Sequence, residues 1–204
     1  MKKTSVFIVV CFLLNLALLA EGYKVGDKAA NFRLKDVSGK YVSLNDYPNA
    51  KGFIVVFTCN HCPYAQAYQD RIMALDRKYS GMGYPVIAIS SSDPGLVPED
   101  SYDKMVTRAK EKDYTFPYLF DENQVVMHQY GAQRTPHVFV LSKSGSDLTV
   151  QYIGAIDDNF QDPSKVTSPY VANAVDALLA GRTPEPSFTK AIGCGIKEKN
   201  PHTD

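Results

Sequence analysis

An unbroken apolar run, Gly52-Phe-Ile-Val-Val-Phe57, ends two residues before Cys59-Asn60-His61-Cys62, and Pro63-Tyr64-Ala65-Gln66 follows directly. Six residues rich in β-branched and aromatic side chains, with no polar alternation, describe a strand covered on both faces. From position 61 to 79 the pattern changes. Tyr64, Ala65, Tyr68, Ile72, Leu75 and Tyr79 recur at helical spacing, and Pro63 is tolerated because a first-turn proline forfeits no helical hydrogen bond. Ser80-Gly81-Met82-Gly83 closes that helix, and Pro85-Val-Ile-Ala-Ile89 is a second buried strand. Strand, helix and strand with both strands buried make a parallel β-α-β unit. The two cysteines fall at its strand-to-helix junction.

The rest of the chain extends an α/β pattern. Residues 23–44 read as short strands with turns, Ala30-Asn-Phe-Arg-Leu34 and Tyr41-Val-Ser-Leu44 alternating around Ser38-Gly39. Residues 45–52, polar with Pro48, form a loop. Residues 99–112 read as a solvated helix, 116–120 as extended, and 123–130 as a short helix. Arg134-Thr135-Pro136 leads into the strand His137-Val-Phe-Val-Leu141, Ser144-Gly145 turns, and residues 148–153 return antiparallel. Residues 171–179 form a last helix closed by Gly181, and 183–204, with three prolines, wrap the surface. The 204 residues suit one domain with a full core. Lys+Arg and Asp+Glu balance at 22 each, so no charge excess points to nucleic acid or a charged membrane surface.

Met1-Lys2-Lys3 followed by an apolar stretch from Val6 to Ala20 has the n-region and h-region of a secretory signal peptide, with cleavage after Ala20 or after Gly22. The organisation is then 1–22 signal peptide, 23–182 domain, and 183–204 tail. An uncleaved membrane anchor is the alternative, although the apolar stretch is short for a span. Export places the chain in the periplasm or outside the cell, where disulfides are permitted. Of four cysteines, Cys11 leaves with the signal; Cys59, Cys62 and Cys194 remain. An odd count argues against a purely structural disulfide framework.

Two cysteines three apart at a helix N-terminus are placed for thiol chemistry, since unpaired backbone N–H groups and the helix dipole favour thiolate over thiol. Zinc sites use the same spacing, so the pair alone does not decide. Further segments do. Cys59-Asn-His-Cys-Pro63, Ser92-Asp-Pro94, Pro98-Glu-Asp-Ser101, Phe116-Pro-Tyr-Leu-Phe-Asp-Glu122, Tyr130-Gly-Ala132, Thr135-Pro136, Ile156-Asp-Asp158 and Gly193-Cys-Gly-Ile-Lys197 occur in that order. The set resembles the AhpC/TSA, peroxiredoxin-like (redoxin-domain) group of the thioredoxin superfamily that carries a CxxC.

The resemblance implies a three-layer thioredoxin-like fold, a mixed sheet flanked by helices, with an N-terminal β extension, a mid-chain insertion and a C-terminal tail. It implies an oxidoreductase acting by dithiol–disulfide exchange, with no cofactor beyond the redox-active Cys59–Cys62 disulfide. Its partners would be protein thiols and disulfides and an upstream dithiol donor or acceptor. Cys59 would be the exposed nucleophile and Cys62 the more buried resolving thiol. Asn60 and His61 would tune the site, His61 by stabilising the Cys59 thiolate. Thr135 and a cis Pro136 would pack beside the pair, their backbone holding an extended substrate.

Two departures stand out. Thioredoxin's buried aspartate corresponds to Phe53, which leaves the proton acceptor for Cys62 without a candidate. Where peroxiredoxins carry Thr or Ser three residues before the peroxidatic cysteine, this chain has Cys59, so a thiol peroxidase is the second reading. Arg134 is either the peroxidase arginine or a solvated loop residue. His137 either tunes Cys59 and contacts substrate or caps a strand. Cys194 has three readings: a buried free thiol, a third redox cysteine, or a donor to an intermolecular disulfide. No metal is expected at the pair. The competing binding-module reading has Cys59 and Cys62 hold copper or zinc with His61 or His137.

Overall fold

The structure is a computed structural model and describes residues 22–199. The expected signal peptide therefore lies outside the described residues apart from Gly22. The elements follow in order as β1 (Lys28–Ala29), β2 (Arg33–Asp36), β3 (Tyr41–Ser43), β4 (Gly52–Phe57), α1 (Pro63–Tyr79), β5 (Val86–Ser90), α2 (Tyr102–Glu111) and β6 (Tyr118–Phe120). Then come α3 (Val125–Tyr130), β7 (Arg134–Thr135), β8 (His137–Ser144), β9 (Asp147–Gly154), α4 (Tyr170–Leu179) and β10 (Cys194–Gly195). Eight strands form one mixed sheet in the order β1-β9-β8-β4-β5-β6-β2-β3. β4, β5 and β6 run parallel, and β8 pairs antiparallel with β4 on its other side. β7 and β10 make a separate two-stranded ladder.

The apolar run is the centre of this sheet. Every residue of β4 is buried, and alternation sends Ile54 and Val56 to one face and Phe53, Val55 and Phe57 to the other. The first face packs under Tyr68, Ile72 and Leu75 of α1, Met105 of α2, and Val171 and Val175 of α4. The second is covered by Val126, Met127 and Tyr130 of α3 together with Phe32, Leu44 and Ile196 from the chain's two ends. The three layers expected from the sequence are present.

α1 begins later than its apolar periodicity suggests, because Pro63 occupies its first turn and leaves Cys62 as the N-cap residue. Arg71 ties the helix to the segment after β9. It donates to Asp157 Oδ2 at 2.7 Å and to the carbonyls of Asn159 and Phe160, and its guanidinium lies over the Tyr68 ring. Asp157 is the buried acid of this ion pair.

The tail does not stand apart from the domain. Phe188 bridges Ile153 of β9, Ile196 donates to the Gln133 carbonyl, and β10 pairs with β7. Among the described residues, no helix is long and apolar enough to cross a membrane.

Candidate active site

Strand β4 delivers Cys59 and α1 holds Cys62, so the two thiols meet where the sheet ends and the helix begins. Opposite them, β7 presents Thr135, followed by a cis peptide bond to Pro136. Cys59 Sγ lies 3.2 Å from the Thr135 hydroxyl, and Cys62 Sγ lies 3.2 Å from the Thr135 carbonyl oxygen. One residue thus faces both sulfurs with different polar atoms.

The two thiols are pushed in opposite directions. The Cys59 thiol donates to the Cys62 sulfur, which pushes Cys59 up; burial and the charge of Asp100 push it the same way. Cys62 is held below the ordinary thiol range, first by that donated hydrogen bond and also by the Cys194 thiol and the Ala65 N–H, while burial opposes them. Position adds to the hydrogen bond from Cys59. As N-cap residue Cys62 sits at the open end of α1, where N–H groups lack intrahelical partners.

This corrects two expectations. Cys59 is 6 % exposed, not an exposed nucleophile, and the helix terminus favours charge on Cys62 rather than on Cys59. The His61 ring, near Cys59, is held by a carboxylate rather than standing free. Its Nδ1 is 2.5 Å from Asp100 Oδ2, which binds the ring.

Asp100 is the functional residue that sequence reasoning missed. It is fully buried, its Oδ1 accepts from the backbone N–H groups of Asn60 and His61 at 2.8 and 3.1 Å, and its Oδ2 takes the His61 ring. The carboxyl therefore fixes the turn between the two cysteines. A signal existed in the Pro98-Glu-Asp-Ser101 segment, an acid in the loop after the neighbouring parallel strand, where α/β sheets place functional groups.

Asn60 belongs to the same scaffold. Its side-chain amide donates to the Glu99 carbonyl, its Oδ1 accepts from the Tyr118 hydroxyl, and its backbone carbonyl accepts from Gln66. Buried and engaged in this way, Asn60 holds the turn between the cysteines.

Cys194 is brought to the pair. It packs against the cluster of Cys59, Cys62 and Ala65, and burial together with its hydrogen bond to Cys62 raises its thiol to about 11. Arg134 is exposed and donates to the Gly193 carbonyl at 2.9 Å, holding the tail rather than a sulfur.

His137 goes elsewhere. It shares the face of β8 that carries Phe139 and meets that ring in a tilted contact, centroids 4.8 Å apart, opposite the face that α1 covers. Burial and the nearby Arg134 lower its imidazole to about 4.

A metal would find a different donor set from the one the sequence suggested. Ligand atoms of Cys59, His61 and Asp100 lie within 4.8 Å of one another. The Asp100–His61 hydrogen bond already commits two of those groups to each other.

A buried strand, a Cys-X-X-Cys at a helix N-terminus and a facing cis Thr-Pro define an oxidoreductase of thioredoxin-like fold. The AhpC/TSA family model matches residues 25–152, and the chain belongs to that family. A curated relative, thiol-disulfide oxidoreductase ResA of Geobacillus thermodenitrificans, is 27 % identical over 161 residues, covering 71 % of this chain and 86 % of ResA. The crystal structure of an uncharacterized conserved protein from Geobacillus kaustophilus superposes with a TM-score of 0.79 at 36 % identity, covering 86 % of this chain and 93 % of that one. The thioredoxin domain of a thiol-disulfide oxidoreductase from Bacteroides vulgatus shares the fold at a TM-score of 0.52 and 16 % identity, covering 65 % and 91 %.

Proposed function

We propose that the protein is an exported thiol–disulfide oxidoreductase that exchanges disulfides with protein substrates through Cys59 and Cys62, in the periplasm or outside the cell. The redox-active disulfide is its own electron carrier, and a second dithiol protein supplies or removes the electrons. The observation that carries the reading is the placement of Thr135, with its hydroxyl at Cys59 and its carbonyl at Cys62.

That placement supports a proton shift between the sulfurs. In the reduced, singly protonated pair, Cys59 donates to the Cys62 thiolate. As Cys59, the less buried of the two, attacks a substrate disulfide, its proton passes to Cys62. The Thr135 hydroxyl then donates to Cys59, and the Thr135 carbonyl accepts from the new Cys62 thiol. One substrate sulfur leaves as a thiolate and the other stays bonded to Cys59. Cys62 returns its proton to the departing thiolate and attacks Cys59 Sγ, so the second substrate sulfur leaves and the Cys59–Cys62 disulfide closes. Run backwards, the same steps oxidise a substrate dithiol.

The test is insulin reduction with dithiothreitol as the electron source. The wild type should accelerate it, and Cys59→Ser should abolish the acceleration. Acceleration that survives Cys59→Ser would overturn the reading. So would rapid hydroperoxide consumption that needs Cys62 and not Cys59.

A further inference from the structure

Cys194 does not reach the cysteine pair by chance packing. Residues 193–199 are bonded along their length to one groove. Arg134 donates to the Gly193 carbonyl, and Ile196 N–H donates to the Gln133 carbonyl. The Lys197 carbonyl accepts from Asp93 N–H and from the Gln124 side chain, and Lys199 N–H donates to Gln124 Oε1. Cys194 pairs antiparallel with Thr135, the residue that faces both reactive sulfurs.

The register is set by close approach. A Cβ on Gly193 would stand 2.1 Å from the Thr135 carbonyl oxygen and 3.2 Å from Pro136 N, so only glycine lets the tail lie this close. A short strand edge beside a reactive thiol is where an extended polypeptide would add by backbone pairing. In this protein that edge is filled from within.

We propose that the tail segment 193–196 is the chain's own occupant of its substrate edge, with Cys194 a third redox cysteine that forms a disulfide with Cys62. The step is an isomerisation of the oxidised protein and rests on the exchange chemistry proposed above. The Cys194 thiolate attacks Cys62 Sγ, a Cys62–Cys194 bond forms, and the Cys59–Cys62 bond breaks. Cys59 leaves as thiolate and takes up the proton that Cys194 lost. No external oxidant or reductant is consumed. The product keeps the oxidation state of the pair while Cys59 regains a free thiol. Cys62 becomes the central sulfur, able to bond to a neighbour on either side. An outside substrate must be an extended peptide that displaces the tail, with a small residue ahead of its cysteine.

The experiment uses the full chain carrying Cys59→Ser, treated with oxidised glutathione, which supplies the two oxidising equivalents. Glutathione bonds to Cys62, and Cys194 then expels it as the thiolate. Peptide mapping by mass spectrometry should find an intramolecular Cys62–Cys194 disulfide in monomeric protein as the major product. Cys62 held as its glutathione adduct with Cys194 free would overturn the proposal, as would a disulfide linking two chains. A second variant, Gly193→Val in the otherwise native chain, keeps Cys59 and Cys62. It should still close Cys59–Cys62 and lose the Cys62–Cys194 product; equal yields of both would also overturn it. Insulin reduction by the wild type is scored separately, so failure of the exchange reading and failure of the tail proposal give different results.

Discussion

Cys59 and Cys62 are the same side chain three residues apart, yet their surroundings push them in opposite directions. Cys62 is the N-cap of α1 and receives hydrogen bonds. Cys59 gives one away and lies near the charge of a fully buried acid. Residue type therefore sets the chemistry available, and position on the element decides which sulfur holds the charge. In many helix-terminal cysteine pairs the first thiol is the obvious bearer. Here the helix starts one residue after the second.

The largest expected effect breaks the pair. Cys62→Ser should leave Cys59 able to attack but unable to be released, so a mixed disulfide with substrate accumulates and turnover is lost; non-reducing electrophoresis reads this. The same variants sharpen the contrast. Thiolate absorbance near 240 nm at neutral pH should weaken in Cys59→Ser, which loses the thiol donor to Cys62, and vanish in Cys62→Ser.

Next comes Asp100. Asp100→Ala leaves the buried N–H groups of Asn60 and His61 without acceptors and should cost about 1–3 kcal/mol in denaturant unfolding. It should also move the alkylation midpoint of Cys59 to lower pH, because a negative charge that raises it is gone. Asp100→Asn, which keeps one acceptor oxygen, should lose less stability and show the same direction for Cys59.

A control on the sheet face opposite α1 is His137. Its folded value of about 4 lies below that of the free side chain, so between about pH 6.5 and 4 the unfolded chain binds a proton that the folded one does not. Stability should fall as pH drops through that window, by up to about 1.4 kcal/mol per pH unit from this group. His137→Gln should flatten that part of the unfolding profile and leave the midpoint of Cys59 alkylation in place. A shift in that midpoint would bring His137 back to the site.

The smallest effect is expected from Thr135→Val. It removes the hydroxyl facing Cys59 and keeps the carbonyl facing Cys62, so Cys59 should be harder to ionise and exchange should slow by about tenfold or less, in line with one neutral hydrogen bond.

The central β-α-β unit was readable because its signals are local. β4 and β5 are continuous apolar runs, and α1 repeats every three to four residues. The Thr135-Pro136 step before β8 was found by resemblance and stands opposite the cysteines. Asp100 was not readable as a site residue because its partners lie 39 and 40 positions away, and nothing local distinguishes it from Glu99. His137 shows the complementary failure. It adjoins Pro136 in sequence, yet alternation along β8 turns it to the far face with Phe139. Proximity along a strand says little about shared surroundings, since neighbouring side chains point oppositely. The tail had no periodicity to read, because its order comes from backbone hydrogen bonds to the groove.

The tail docked on Thr135 beside two buried sulfurs has a kinetic consequence. If the tail occupies the substrate edge as proposed, a large substrate meets the pair only after the tail departs, and that departure is a first-order event of the protein alone. Turnover should then approach a ceiling that more substrate cannot raise. A small disulfide able to slip past the tail would escape that ceiling, so enzymes of identical chemical competence would rank substrates by size.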